Sequence, residues 1–123
     1  MGTPAEITQE TNALMKQFDI MWANLPGPIG RRPVLLLTRT PGYSYLSKVL
    51  IAEVTSTIRS IPQEVPLGKH EGLSGPSVVN FDNIHVIPKA LLGQRVGSVA
   101  SARHREIKRA LGYTLEWPEL KVL

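Results

Sequence analysis

Three short clusters carry the residue types with the most chemistry to offer. The first is Arg31-Arg32-Pro33. Proline biases the residue before it towards an extended backbone, which sets Arg32 at the mouth of the apolar run that follows. A guanidinium there presents five N–H donors in a planar fork that fits a phosphate. The second is Thr55-Ser56-Thr57, hydroxyls directly after an apolar stretch, with Arg59 close behind to add charge. Hydroxyls in that place donate to a phosphate or a ribose oxygen. The third is Asn80-Phe81-Asp82. Residues two apart on a strand project to the same side, so an amide and a carboxylate would point together and Phe81 away from them. Each cluster also has a plainer reading. Arg32 is equally a salt-bridged arginine at a strand end. The Ser/Thr group is equally ordinary turn chemistry, and Asp82 equally turns with Asn83. Tyr43 and Tyr45 lie in a polar loop, where they either stack on bases or cover the side of the domain.

Elimination narrows the chemistry. With no cysteine there is no disulfide, no thiolate zinc site and no catalytic thiol. The three histidines, His70, His85 and His104, are scattered. No His-x-x-x-His pair, Walker loop, Gly-x-Gly-x-x-Gly or Gly-x-Ser-x-Gly is present. Neither a metal nor an organic cofactor is expected. Lys and Arg total 14 against 10 Asp and Glu, a net charge of +4 that raises the prospect of a polyanionic partner.

These clusters need a scaffold, and 123 residues suit one domain with one core. No apolar stretch nears the roughly 18 residues that cross a bilayer. Met1 to Lys16 contains Glu6 and Glu10 and does not resemble a secretory leader. Residues 1–17 read as an N-terminal extension, a short amphipathic helix or a loose tail, with the main domain spanning 18–123. Residues 20–23 form a short apolar run, and 26–30 a Pro/Gly turn. Val34-Leu35-Leu36-Leu37 is apolar on both sides, as in a strand buried on both faces. Pro33 suits that strand's first position. Residues 40–47 form a polar loop, and 48–54 the next strand. Residues 61–67 alternate and carry two prolines, which points to an edge strand. A glycine-rich loop over 68–76 precedes a strand over 78–84, which residues 86–87 continue or follow, and residues 89–92 are a helical turn. Ser101 is placed to cap a helix running to Leu111, with Gly112 to end it. Short strands closed by one helix predict a small, strongly curved β-barrel or half-barrel.

The order of these segments is similar to that in a known family. Arg32-Pro33-Val34-Leu35-Leu36-Leu37 is followed by Ala52-Glu53-Val54-Thr55-Ser56, then by Val65-Pro66-Leu67. Gly72-Leu73-Ser74-Gly75-Pro76-Ser77-Val78-Val79-Asn80-Phe81-Asp82-Asn83-Ile84 comes next, and Arg95-Val96-Gly97 precedes the closing helix. Over residues 18–115 this resembles the MazF/PemK toxins of bacterial toxin–antitoxin pairs. The resemblance implies a mainly β, SH3-like barrel with a C-terminal helix. It also implies a homodimer, and cleavage of single-stranded RNA by a cytoplasmic toxin that an antitoxin protein restrains.

The resemblance places Arg32 and Thr55 in the active site and matches Asp82 to an aspartate that some relatives use; Asn80 stands where those relatives have arginine. RNA brings its own nucleophile, the 2′-hydroxyl, so neither metal nor thiol is required. The expected roles are charge stabilisation at phosphorus by Arg32, orientation of the phosphate by Thr55, and proton abstraction by Asp82. Arg31, Ser56, Arg59, Asn80 and Tyr43 are the expected substrate contacts. Two other uses of such a barrel are a CcdB-like poison of DNA gyrase and an RNA-binding module without catalysis. The CcdB-like relative ends in Trp-Gly-Ile, whereas this chain ends Lys121-Val122-Leu123.

Overall fold

A computed structural model describes residues 14–123. Among them six strands form one antiparallel sheet: β1 (Asp19–Leu25), β2 (Gly30–Leu36), β3 (Lys48–Thr55), β4 (Glu64–Leu67), β5 (Ser77–Pro88) and β6 (Leu92–Ser98). Helices α1 (His104–Thr114) and α2 (Pro118–Lys121) follow. The spatial order is β4-β5-β3-β2-β1-β6, with β4 and β6 at the edges. This is a curled, mainly β half-barrel with a C-terminal helix, as the strand pattern predicts, and it fits the SH3-like fold that the family resemblance implies. An N-terminal helix within residues 1–13 lies outside the described residues. Met15 is already buried in the core, and the side chain of Gln17 donates to the Leu37 carbonyl at 2.9 Å, so chain packing begins ahead of residue 18.

The double-sided apolar run explains why the sheet has a core on each face. Val34 and Leu36 join Met21, Ile51 and Leu92 in one cluster. Leu35 and Leu37 join Ala52, Val79 and Phe81 in the other, which α1 covers with Ile107 and Ala110. β2 begins earlier than expected, at Gly30. Pro33 pairs with Trp22 of β1, while the β2–β3 ladder starts only at Val34. The proline therefore stands where one flank of β2 has no hydrogen-bonding neighbour, which is the place a missing N–H is tolerated.

The curl brings the two edges of the sheet together. The 3₁₀ turn Lys69–Glu71, which follows β4, lies against β6. A Cβ on Gly97 would fall 2.1 Å from the Glu71 carbonyl oxygen, and one on Gly72 would fall 2.2 Å from that of Val96. Gly97→Ala must push these backbones apart. The expected loss is about 1–3 kcal/mol, the range for overpacked sites, read as a lower urea midpoint at unchanged m. A variant with the wild-type midpoint would show that the closure is slack. Arg103 fastens the same corner, donating to the Pro66 carbonyl at 2.7 Å and to Glu106 at 2.8 Å, and pairing with Glu71 at 3.3 Å. Its hydrogen bond holds the Glu106 carboxyl below the usual glutamate range. That contribution is present at neutral pH and is lost only as pH falls through the lowered value.

Two local expectations are corrected. Ser101 makes no side-chain cap; a 3₁₀ turn over Ser101–Arg103 leads into α1 instead. Gly112 does not end the helix, which runs on to Thr114. A Cβ at Gly112 would meet the Leu120 Cβ at 2.7 Å and the Lys121 nitrogen at 2.8 Å, so the glycine serves the docking of α2. The left-handed residue after the helix is Glu116, at φ 52.

Candidate active site

β5 carries the irregularity that shapes the site. Thr55 stands opposite Val78 and Glu53 opposite Asn80, but Ala52 then stands opposite Ile84 and Ile51 opposite His85. One step along β3 therefore spans four on β5, and residues 81–83 bulge out of the ladder. Such bulges re-aim side chains. Without this one, Ile51 would face Asp82. With it, His85 takes that place.

The polar groups then gather on one face. Glu53 and Thr55 are two apart on β3 and project together. Glu53 is buried, its side chain 8% exposed. Its Oε1 accepts a hydrogen bond from Arg32 Nη1 at 3.0 Å, and its Oε2 accepts one from His85 Nε2. Arg32 and His85 keep 33% and 39% of their side chains exposed, so both heads reach solvent from one buried carboxylate. The Nε of Arg32 is buried with no hydrogen-bond partner among the described residues. An orphaned donor of this kind costs about 1–3 kcal/mol, and a ligand's oxygen in the cleft would satisfy it. The Oγ1 of Thr55 accepts the Thr57 N–H at 3.1 Å, which leaves its own proton free to donate.

Arg32, Pro33, Thr55, Ser56 and Arg95 all border a cleft of about 560 Å³, whose far wall is the 72–77 loop segment through Leu73, Ser74 and Ser77. Trp22 forms another part of the wall, and the Arg31 guanidinium lies 4.0 Å from its ring centre. Two arginines beside a half-buried aromatic and three serines suit a nucleic-acid backbone with a base stacked nearby. Among the described residues no three His, Cys, Asp or Glu side chains converge as metal ligands would.

Arg32, Thr55 and Ser56 are thus brought together, with Arg31 beside them. Other candidates are placed elsewhere. Asp82, expected to meet Arg32 and Thr55 around one phosphodiester as the base, is instead exposed on the bulge: its N–H donates to Asn80 Oδ1 at 2.8 Å, and it accepts from Thr114 Oγ1 at 3.2 Å, at the end of α1. Asn80 is on the right face but only 3% exposed, and it holds the bulge through that bond. Tyr43 is fully buried in the core cluster of Val34 and Leu36, so it stacks on no base; burial pushes its phenol pKa up and keeps it protonated. Arg59 contributes its backbone: its N–H and that of Ser60 donate to the buried Glu64, at 3.0 and 2.9 Å. Sequence reasoning passed over Glu53, His85, Arg95 and Trp22. For Glu53 a signal existed, since a carboxylate between Ala52 and Val54 in an apolar strand must be paired to be buried.

Comparison with known proteins identifies relatives of this chain. Residues 16–115 match the model of the PemK-like, MazF-like toxins of type II toxin–antitoxin systems. The chain is 38% identical over 88 residues to the endoribonuclease MazF3 of Mycobacterium tuberculosis, covering 70% of this chain and 85% of that protein. It is 35% identical over 98 residues to the probable endoribonuclease MazF2 of the same organism, covering 79% and 94%. Among solved structures, the M. tuberculosis toxin MazF-mt6 superposes with a TM-score of 0.76 at 35% identity, over 80% of this chain and 96% of that one. A mycobacterial endoribonuclease in complex with its cognate antitoxin superposes at 0.74 with 29% identity, over 85% and 97%.

Proposed function

The chain belongs to the PemK-like, MazF-like toxins of type II toxin–antitoxin systems, and on that premise we propose that the Arg32–Thr55 cleft is where it cuts RNA. It is an endoribonuclease. The curated relatives carry that activity in their names, which favours catalysis over the non-enzymatic uses of the barrel. The observation that carries the assignment is Arg32 held by buried Glu53 on the face that also bears Thr55.

The substrate is single-stranded RNA, whose 2′-oxygen attacks the adjacent phosphorus and expels the 5′-oxygen. Arg32 stabilises the charge that builds on the phosphorane. It does so as a fixed cation, because a guanidinium in a protein does not give up its proton. The free proton of Thr55 and the hydroxyl of Ser56 orient the non-bridging oxygens. Arg31 and Arg95 bind flanking phosphates, and Trp22 offers a face to a base. No metal enters this scheme. The domain containing residues 18–123 works as a homodimer in the cytoplasm, restrained by a cognate antitoxin that competes for the basic cleft. No helix among the described residues is long and apolar enough to cross a membrane.

The test is to incubate the purified protein with a defined single-stranded RNA in excess EDTA and characterise the new ends. The expected products are a 2′,3′-cyclic phosphate and a 5′-hydroxyl. A 5′-phosphate, or a strict need for divalent metal, would overturn the mechanism.

A further inference from the structure

We propose that His85, oriented by Glu53, is the general base that removes the 2′-hydroxyl proton. This rests on the assignment of cleavage to the Arg32 cleft. Transesterification needs a proton acceptor beside the phosphate, and the sequence offers Asp82 for it. The fold withdraws Asp82. The bulge over residues 81–83 turns it out to Thr114 and sets His85 opposite Ile51, the position that unbroken pairing would have given the aspartate. His85 thereby returns to the face of Glu53 and Thr55.

Its environment is built for proton transfer. Glu53 is acceptor-only when ionised, so its Oε2 fixes the imidazole proton on Nε2. The lone pair then sits on Nδ1, which has no hydrogen-bond partner among the described residues. The side chain is 39% exposed, open to a ligand, while the carboxylate that orients it is 8% exposed. The other oxygen of that carboxylate holds Arg32 at 3.0 Å. Base and electrophilic stabiliser are therefore mounted on one buried group, which fixes their separation. Glu53 touches no substrate; it positions both. In the step itself, Nδ1 takes the 2′-hydroxyl proton as the O2′–P bond forms. The P–O5′ bond breaks, and the 5′-oxygen takes a proton from water. His85 returns its proton to solvent.

His85→Gln keeps an N–H for Glu53 but has no basic nitrogen. It is expected to cut a defined RNA at about a hundredth of the wild-type rate or less, the usual weight of a general base. Affinity for the same RNA with a 2′-O-methyl group at the cut site should be unchanged, which also reports that the fold is kept. Added imidazole should restore part of the rate to His85→Ala. If His85→Gln cuts within tenfold of wild type, or added imidazole restores nothing to His85→Ala, the assignment of His85 is wrong. The Arg32 assignment fails separately, by a wild-type protein that leaves RNA intact or by an Arg32 variant with full activity.

Discussion

Arg32→Lys is expected to cut RNA about 10²–10³-fold more slowly than wild type, with the protein still folded. That range is the measured weight of one donor aimed at charge developing in a transition state. Lysine keeps the positive charge beside Glu53, so the buried carboxylate stays paired. It loses the planar fork that binds a carboxylate on one edge and a phosphate on the other. Nη1 of Arg32 is committed to Glu53 at 3.0 Å, and an ammonium cannot divide its donors in the same geometry. Arg32→Ala should be at least as inactive but less informative, because it leaves Glu53, 6% exposed as a residue, with His85 as its one remaining partner among the described residues. The measurement is single-turnover cleavage of a defined RNA beside a urea melt. Arg32→Lys at wild-type rate would remove the guanidinium from the chemistry.

How far the sequence could be read depended on whether alternation held. Where it did, in Val34-Leu35-Leu36-Leu37 and in β3, both faces and the burial followed directly, because a period of two leaves no freedom. It failed at Asn80-Phe81-Asp82. Nothing in those residue types announces a three-residue bulge, and each inserted residue reverses which face the later side chains take. The carboxylate expected in the cleft was displaced for that reason, and His85 looked unconnected to anything. β6 was missed for a different cause. Leu92-Gly93-Gln94-Arg95-Val96-Gly97-Ser98 has neither alternation nor β-branched density. Gly97 is there because the Glu71 backbone approaches to where a side chain would stand, a long-range demand invisible locally. Gly112 misled in the same way, since a glycine near a helix end signals termination and here signals a close neighbour. Tyr43 looked like a loop aromatic because 40–47 is polar in composition. The 3₁₀ turn Thr40–Ser44 rotates that one ring into the core.

Glu53 should then prove the group on which fold and function meet. Glu53→Ala is expected to lose about 1–3 kcal/mol, a factor of roughly 5–150 in the folding equilibrium. Larger losses occur when a fully buried pair is broken, but the heads of Arg32 and His85 are a third or more exposed and water takes up part of the loss. The same variant should cut RNA no faster than Arg32→Lys, because neither the guanidinium nor the imidazole would keep its direction. A double-mutant cycle separates this from a merely structural carboxylate. If Glu53 and Arg32 stabilise each other, the Glu53→Ala and Arg32→Ala losses in urea will not add, and the double variant will be more stable than their sum. If only the carboxylate's desolvation matters, the Glu53→Ala variant will be as stable as wild type or more so, as happens when buried ions are replaced by apolar groups. Full additivity together with undiminished cleavage by Glu53→Ala would leave the shared-carboxylate arrangement without a role. Non-additive stability with cleavage lost in both single variants is the outcome the geometry requires, since one carboxylate holds both working groups.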